Sequence, residues 1–462
     1  MTSTQTTPAI ALRRPPARRF GWADLLGPIG ILSTVIVLGV WIADQGLASL
    51  TTLDRAVGSL GLLTGLVSWH LMILQVLLLA RIPWVERAWG HDLLTHRHRW
   101  VGFASFWFML AHVAAYMFER SERAGGAVLQ AWWQLFVLDS WMLWATTGTL
   151  LIVVVVALSI RAARRSVRYE PWHLLHLYAY LGMALALPHQ LADGADFHQS
   201  WTQVYWWTFY VGSLAAVLIF RLGLPIWRSA YHKMTVASVD VEAPGVVSVN
   251  VRGRHLDRMR TESGQFFTWR FRDGPGWTRG NPYTISAAPT DDTLRVTIQA
   301  VGDGSDRAAR LKPGTAVYVE GPYGTMTARR RRHPHLLLVA AGVGITPIRA
   351  LLEDTPTGPG DSALIYRYTD EQHAIFKPEI DRLAAERGVT VHYLPGPRRH
   401  DGSWQAAGPA ATDADGLRAL FPQVANADIF VCGPPKWIGA VRRSAMRCGT
   451  RRRDIHSEDF AW

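Results

Sequence analysis

YEPWHLLHLYAYLGMALALPHQ, residues 169–190, decides how this chain is read. After Glu170 it has the uncharged apolar length of a membrane helix, yet it carries three histidines, His173, His176 and His189. Ionisable groups inside a bilayer are costly, so each invites a functional explanation. Upstream, HRHRWVGFASFWFMLAH (residues 96–112) offers a second helix with His98 and His112, 14 residues apart, against 13 for His176 and His189. At 1.5 Å per residue each pair spans about 20 Å along its axis. Side by side, the two helices present two facing histidine pairs at two depths, a ladder for two bis-histidine haems. The plainer reading of one membrane histidine is a hydrogen-bonded packing residue; two helices with nearly equal spacings favour ligation. Fourteen residues bring His112 to within about 40° of His98, whereas thirteen leave His189 about 140° from His176 on an ideal helix. Pro188 is expected to kink or end the helix there.

The rest of the chain fits a membrane half and a soluble half. Its 462 residues suffice for two or three domains. Six segments without charged residues are long enough to span: 25–43, 58–80, 101–118, 141–160, 172–192 and 201–220. The RRPPARR tail, the 81–99 loop, the RAARRSVR loop and the chain after Phe220 are basic, while the loops at Asp44, Asp139 and Asp193 are not. By the positive-inside rule this predicts a multi-pass cell-membrane protein with both termini cytoplasmic. Trp22, Trp141, Trp172 and Trp201 fit an interfacial belt. The first apolar run reads as a true span and not as a cleavable signal. The net charge of +12 sits at membrane flanks and in runs such as 329–332, so an anionic lipid surface explains it and no nucleic-acid partner is expected. Two cysteines, Cys432 and Cys448, indicate no disulfide framework.

This topology puts His98 and His176 at the inner haem and His112 and His189 at the outer one. His96 and His173 are spare residues at the cytoplasmic edge, each 16 positions from the outer ligand on its helix. His70, within the second span, either packs near a haem propionate or simply hydrogen-bonds. His91 and His198 fall in loops.

Beyond residue 234 the periodicity changes. Segments 235–253, 264–271, 294–302 and 316–321 are short, rich in valine, threonine and aromatics, and bounded by glycine and proline. They predict an antiparallel β-barrel over 234–328. From 335 the pattern is strand, turn and helix in alternation, including a helix near 377–386, which predicts an α/β parallel-sheet domain over 335–462. Residues 1–24 form a basic tail and 25–220 the membrane bundle. Gly342 and Gly344, between an apolar strand and a helix, permit close approach of a pyrophosphate; a structural tight turn reads almost as well.

The ordered set NPYTIS (281–286), VGDGS (301–305), GPYG (321–324), AAGVGITP (340–347), VCGPP (431–435) and EDFAW (458–462) resembles the ferredoxin-NADP reductase superfamily. Joined to six spans with paired histidines, the chain resembles the NADPH oxidase and ferric reductase family. The resemblance implies that Pro282, Tyr283, Thr284 and Ser286 line FAD, with Thr284 near its reactive edge. Gly304 and Ser305 would approach the FAD phosphates. Gly342, Gly344, Thr346 and Pro347 would hold the nicotinamide nucleotide, and Cys432, Gly433 and Pro434 would line the nicotinamide slot. Trp462 would stack on the flavin until nicotinamide displaces it; its plainer reading is a frayed tail. Asn281 stands where the family usually has arginine or histidine on a phosphate, which removes a charge-assisted contact. Arg367, after the second parallel strand, with Arg398 and Arg399, favours NADPH over NADH.

The expectation is a transmembrane oxidoreductase. NAD(P)H reduces FAD, electrons pass through two b-type haems, and a small-molecule acceptor is reduced outside, with Thr284, Cys432 and Trp462 at the hydride step. Bis-histidine iron has no open position and suits electron transfer. Oxygen, ferric iron, or a protein or quinone partner are the open acceptors. A flavin-dependent nucleotide sensor with purely structural histidines is the rival. A transporter would need broken helices or a polar path, which the spans lack.

Overall fold

The structure is a computed structural model in which residues 22–44, 46–123, 125, 127–130, 132–133, 140–160, 169–193, 199–400, 402–406 and 412–458 are described. The chain divides into two compact units, a helical one of 21–82 with 93–221, and a second built from 222–462 together with 83–92.

The helical unit contains α1 (Trp22–Ala43), α2 (Leu53–Leu78), α4 (His91–Arg123), α5 (Ser140–Ser159), α6 (Tyr169–Asp193) and α7 (Ser200–Ala216); α3 (Pro83–Trp89) belongs to the other unit. Beyond α7 the helix passes through a π-helical turn, Val217–Gly223, into α8 (Leu224–His232), so it runs well past the expected end at residue 220. Five helices among the described residues are long and apolar enough to cross a membrane: Asp24–Ala43, Leu53–Leu78, His91–Glu122, Trp141–Ser159 and Ser200–His232. That is one fewer than the six expected. Helix α6 has the length, at 25 residues, but His173, His176, His189, Tyr178, Tyr180 and Gln190 dilute its apolar character. It also runs through Pro188 to Asp193, so the expected termination at the proline does not occur.

Small residues let these helices meet. A Cβ on Gly182 of α6 would lie 2.9 Å from the Gly148 carbonyl of α5, so only glycine permits that approach. On α2, Gly61, Gly65, Ser68 and Gln75 follow helical spacing and turn towards α4. Ser68 Oγ donates to Ser105 O at 2.8 Å, and a Cβ on Gly61 would meet the Ala115 methyl at 2.9 Å. Trp41, Leu66, Met72, Met109, Ile152 and Trp206 close the bundle's core. Ile29, Ile31, Leu32 and Val35 face outward, as a lipid-facing surface requires.

In the second unit, strands β1 (Thr235–Ala243), β2 (Val246–Arg252), β3 (Phe266–Phe271), β4 (Asn281–Thr284), β5 (Thr293–Gln299) and β6 (Val317–Tyr323) make two antiparallel sheets, ordered β1-β2-β5 and β4-β3-β6. Single bridges, Thr235 to Ala316 and Ile285 to Val296, join the sheets at both edges. Val249, Phe267, Trp269, Ile285 and Val296 fill the space between them. The short helix α9 (Asp303–Asp306) follows β5.

The remaining strands are β7 (His335–Ala341), β8 (Ser362–Arg367), β9 (Thr390–Leu394), β10 (Ala427–Cys432) and β11 (Ile455–Ser457). They form one parallel sheet ordered β11-β10-β7-β8-β9. Helices α10 (Ile345–Asp354), α11 (Lys377–Arg387), α12 (Asp413–Leu420) and α13 (Pro435–Arg447) cover it. Both faces are buried, which is why β7 reads as an unbroken apolar run and does not alternate. Strand order reverses between β7 and β10, and ligands of such sheets bind outside the carboxyl ends at that point.

Candidate functional site

Each histidine of the expected ladder has its Nδ1 held. On α4, His98 Nδ1 donates to Gln75 O at 3.1 Å and His112 Nδ1 to Gly61 O at 2.8 Å. Gln75 and Gly61 are 14 residues apart on α2, matching the spacing of the two histidines they hold. On α6, His189 Nδ1 donates to Ala186 O at 2.5 Å. His176 Nδ1 lies 3.3 Å from Ser159 Oγ, and Trp172 stacks on the His176 ring. A ligating imidazole needs this arrangement, because a bond at one nitrogen fixes the tautomer and aims the other at the metal.

The structure brings His98 and His176 together, with ring centroids 6.1 Å apart, a gap that accepts one ion about 2 Å from a nitrogen of each ring. His189 is near enough to act electrostatically on His112. Gly65 lets the His112 ring pack directly on α2: a Cβ there would sit 2.6 Å from His112 Nδ1. Two imidazole pairs, each ring held through Nδ1, fit bis-histidine haem. His96 and His70 are placed differently. From its own helix Arg99 at 3.2 Å and Trp100 at 3.1 Å both point N–H donors at the His96 ring, and a neutral imidazole accepts from one of them. His70 is fully buried, bonded to Thr34 and Tyr205 and stacked on Phe209, so it hydrogen-bonds as a packing residue.

In the second unit, Asn281 and Tyr283 alternate onto one face of β4. They line a cavity of about 350 Å³ with Trp269, Trp277, Arg279 and Arg307. An aromatic floor with arginines at the rim fits a flavin and its charged tail. Burial pushes the Tyr283 phenol up to about 12, so it stays a hydrogen-bond donor. Thr284 is buried at the end of the strand.

Two expected contacts are used elsewhere. Ser305 Oγ accepts from Val301 N and Gly302 N and donates to Gly302 O, so the hydroxyl expected at a phosphate closes its own turn. Ser286 is fully buried: its hydroxyl accepts from Thr297 and Arg295, and Arg295 continues to Glu379 on α11. It ties the antiparallel sheets to the parallel one.

Gly342 and Gly344 leave β7, and Cys432, Gly433 and Pro434 leave β10, at the reversal of strand order. Gly342 has φ +55°, and a Cβ on Gly344 would lie 2.5 Å from the Cys432 carbonyl, so these turns press together through bare backbone. Thr346 and Pro347 are buried in the first turn of α10. Burial, aided by Glu458, pushes the Cys432 thiol up to about 12, which keeps it neutral. Glu458 is a residue that spacing alone did not single out. Its Oε1 accepts from Thr325 N at 2.5 Å and Met326 N at 3.2 Å, yet burial pushes its carboxyl up to about 8. The nearest sequence signal was the EDFAW end; Trp462 itself lies outside the described residues. Arg367 is buried at the end of β8: one nitrogen donates to Gly396 O at 3.0 Å, while Nε has no partner. Burial and then Arg398 hold its pKa below the usual guanidinium range.

Residues 64–187 match the family described as ferric reductase like transmembrane component, and residues 338–443 match the oxidoreductase NAD-binding domain. The ferredoxin reductase component of 3-ketosteroid-9-alpha-monooxygenase from Mycolicibacterium smegmatis is 33% identical over 44% of this chain and 57% of its own length. NADH-cytochrome b5 reductase 1 from Candida glabrata is 29% identical over 37% of this chain and 65% of its own. The chain thus spans less than two thirds of these curated relatives. The flavohem-like FAD/NAD binding domain of nitric oxide dioxygenase from Vibrio cholerae O1 biovar El Tor is 21% identical, with 49% of this chain and 98% of that one covered and a TM-score of 0.40. The chain joins a ferric reductase-like transmembrane domain to an NAD-binding oxidoreductase domain.

Proposed function

We propose that the protein is a transmembrane oxidoreductase that moves electrons from cytoplasmic NAD(P)H through FAD and two b-type haems to oxygen or ferric iron on the outer face. The observation that carries this reading is the set His98, His112, His176 and His189, each with Nδ1 tied down, which fixes the tautomer whose Nε2 can bind iron. Bound FAD and haem would supply the redox chemistry, from two-electron hydride acceptance to one-electron relay. The chain's own part is positioning. Tyr283 and Asn281 would seat the flavin, and the paired turns at Gly344 and Gly433 would admit the nucleotide backbone. Thr284 and the neutral Cys432 would line the point where nicotinamide meets flavin, with Trp462 as the displaceable cover. Arg367 supports NADPH over NADH, because it stands at the carboxyl end of β8 close to Arg398, where two cations would suit a 2′-phosphate.

In this reading 1–24 is a cytoplasmic tail, 25–220 the haem-carrying bundle in the cell membrane, 234–328 the FAD domain and 335–462 the NAD(P) domain, with both termini inside. The curated relatives are named as reductases or reductase components, which supports an electron-supplying role for the soluble half. The test is haem content. Full-length protein supplied with haem and FAD should hold two haems per chain, and His112→Ala or His189→Ala one, with flavin reduction by NADPH intact. Two haems retained in both variants would refute the ligand assignment.

A further inference from the structure

Arg221 is a half-buried cation with one described partner. It sits in the π-helical turn Val217–Gly223, and its guanidinium donates to the Leu79 carbonyl at 2.9 Å. Leu79 lies one helical turn beyond Gln75, whose carbonyl holds His98. Arg221 also acts electrostatically on His98 and His173. Among the described residues no carboxylate pairs with it. An arginine beside an apolar bundle ordinarily extends its head towards water or lipid phosphate. This one turns inward to α2, and π-helical turns concentrate at functional positions. A charge placed there without a counter-ion is costly unless an anion completes it.

We propose that Arg221 pairs with the propionate edge of the haem held between His98 and His176 and raises that haem's reduction potential above the value it would have without the cation. The inference rests on the haem reading given under Proposed function. A fixed positive charge favours the state that has gained an electron, so Arg221 makes this haem the easier one for flavin to reduce. It is a positioning and tuning residue and undergoes no chemistry itself.

The test is a spectroelectrochemical titration of the full-length, haem- and FAD-loaded protein in neutral detergent, with and without added anionic lipid. The His112→Ala background isolates the His98–His176 haem. Arg221→Gln should lower its midpoint so that the oxidised-to-reduced ratio at a fixed potential rises at least tenfold, a shift of about 59 mV for one electron. Arg221→Lys, which keeps the charge, should restore most of it, and in a His98→Ala background, which isolates the His112–His189 haem, Arg221→Gln should move the midpoint far less. An unchanged midpoint in Arg221→Gln, an equal shift of both haems, or a shift seen only with anionic lipid would overturn the proposal; the last would assign Arg221 to a headgroup. A chain that takes up no haem is recognised from its spectrum before any titration, and it would overturn the haem reading as well.

Discussion

Glu458 shows how much one buried carboxyl can impose on the chain. Its folded pKa of about 8 stands above the ordinary 4.5. Below about 4.5 the group is neutral in both folded and unfolded chains, and its stabilising contribution is fully present. As pH rises towards 8 the unfolded chain gives up its proton readily while the folded one resists, so stability falls and is lowest above about 8. Glu458→Gln should flatten this slope and be more stable than the parent above pH 8 by about 2–4 kcal/mol. Thermal midpoints across pH 5–9 check it, and parallel profiles for the two proteins would contradict it. At Arg367, replacement by serine should cut the preference for NADPH over NADH by roughly ten- to a hundredfold, the loss of one charge-assisted contact. Comparing kcat/KM for the two nucleotides decides it; an unchanged ratio would move the 2′-phosphate elsewhere.

At the scale of elements, glycines are where the backbone allows no alternative. Gly344→Ala drives a methyl into the Cys432 carbonyl and forces the β7 and β10 turns apart. It should weaken nucleotide binding at least tenfold with haem content unchanged, measured by equilibrium dialysis and the visible spectrum. Gly65→Val should remove only the His112–His189 haem, because its side chain would collide with the His112 ring and break its bond to Gly61; retention of two haems would exclude His112 as a ligand. These elements were also the most legible in the sequence, because a glycine between an apolar strand and a helix states a local backbone requirement. The helix at Lys377–Arg387 and most strands read off their periodicity in the same way. Short or long-range features did not. Strand β4 has four residues and β11 three, too few for a periodic signal. The resemblance of VGDGS to a phosphate loop implies a role for the Ser305 hydroxyl, while the turn that the hydroxyl closes is a local backbone feature that the motif does not state. The π-helical turn at Arg221 and the carbonyls of Gly61 and Gln75 depend on how α2 packs against other helices, and a hydropathy pattern does not encode that.

Across the whole molecule, the division of labour follows composition. An apolar helical unit carries histidines where a bilayer makes them expensive, and the second unit carries two pressed glycine turns at the reversal of its parallel sheet. One chain thereby offers a nucleotide and flavin site and a set of four oriented imidazoles. The most direct measurement of the central claim is the visible spectrum of the full-length protein, loaded with haem, before and after anaerobic NADPH, with and without FAD. The account predicts sharp reduced b-type bands from two haems per chain, appearing only when FAD is present. Flavin bleaching with no change at the haems, or no haem bound at all, would contradict it.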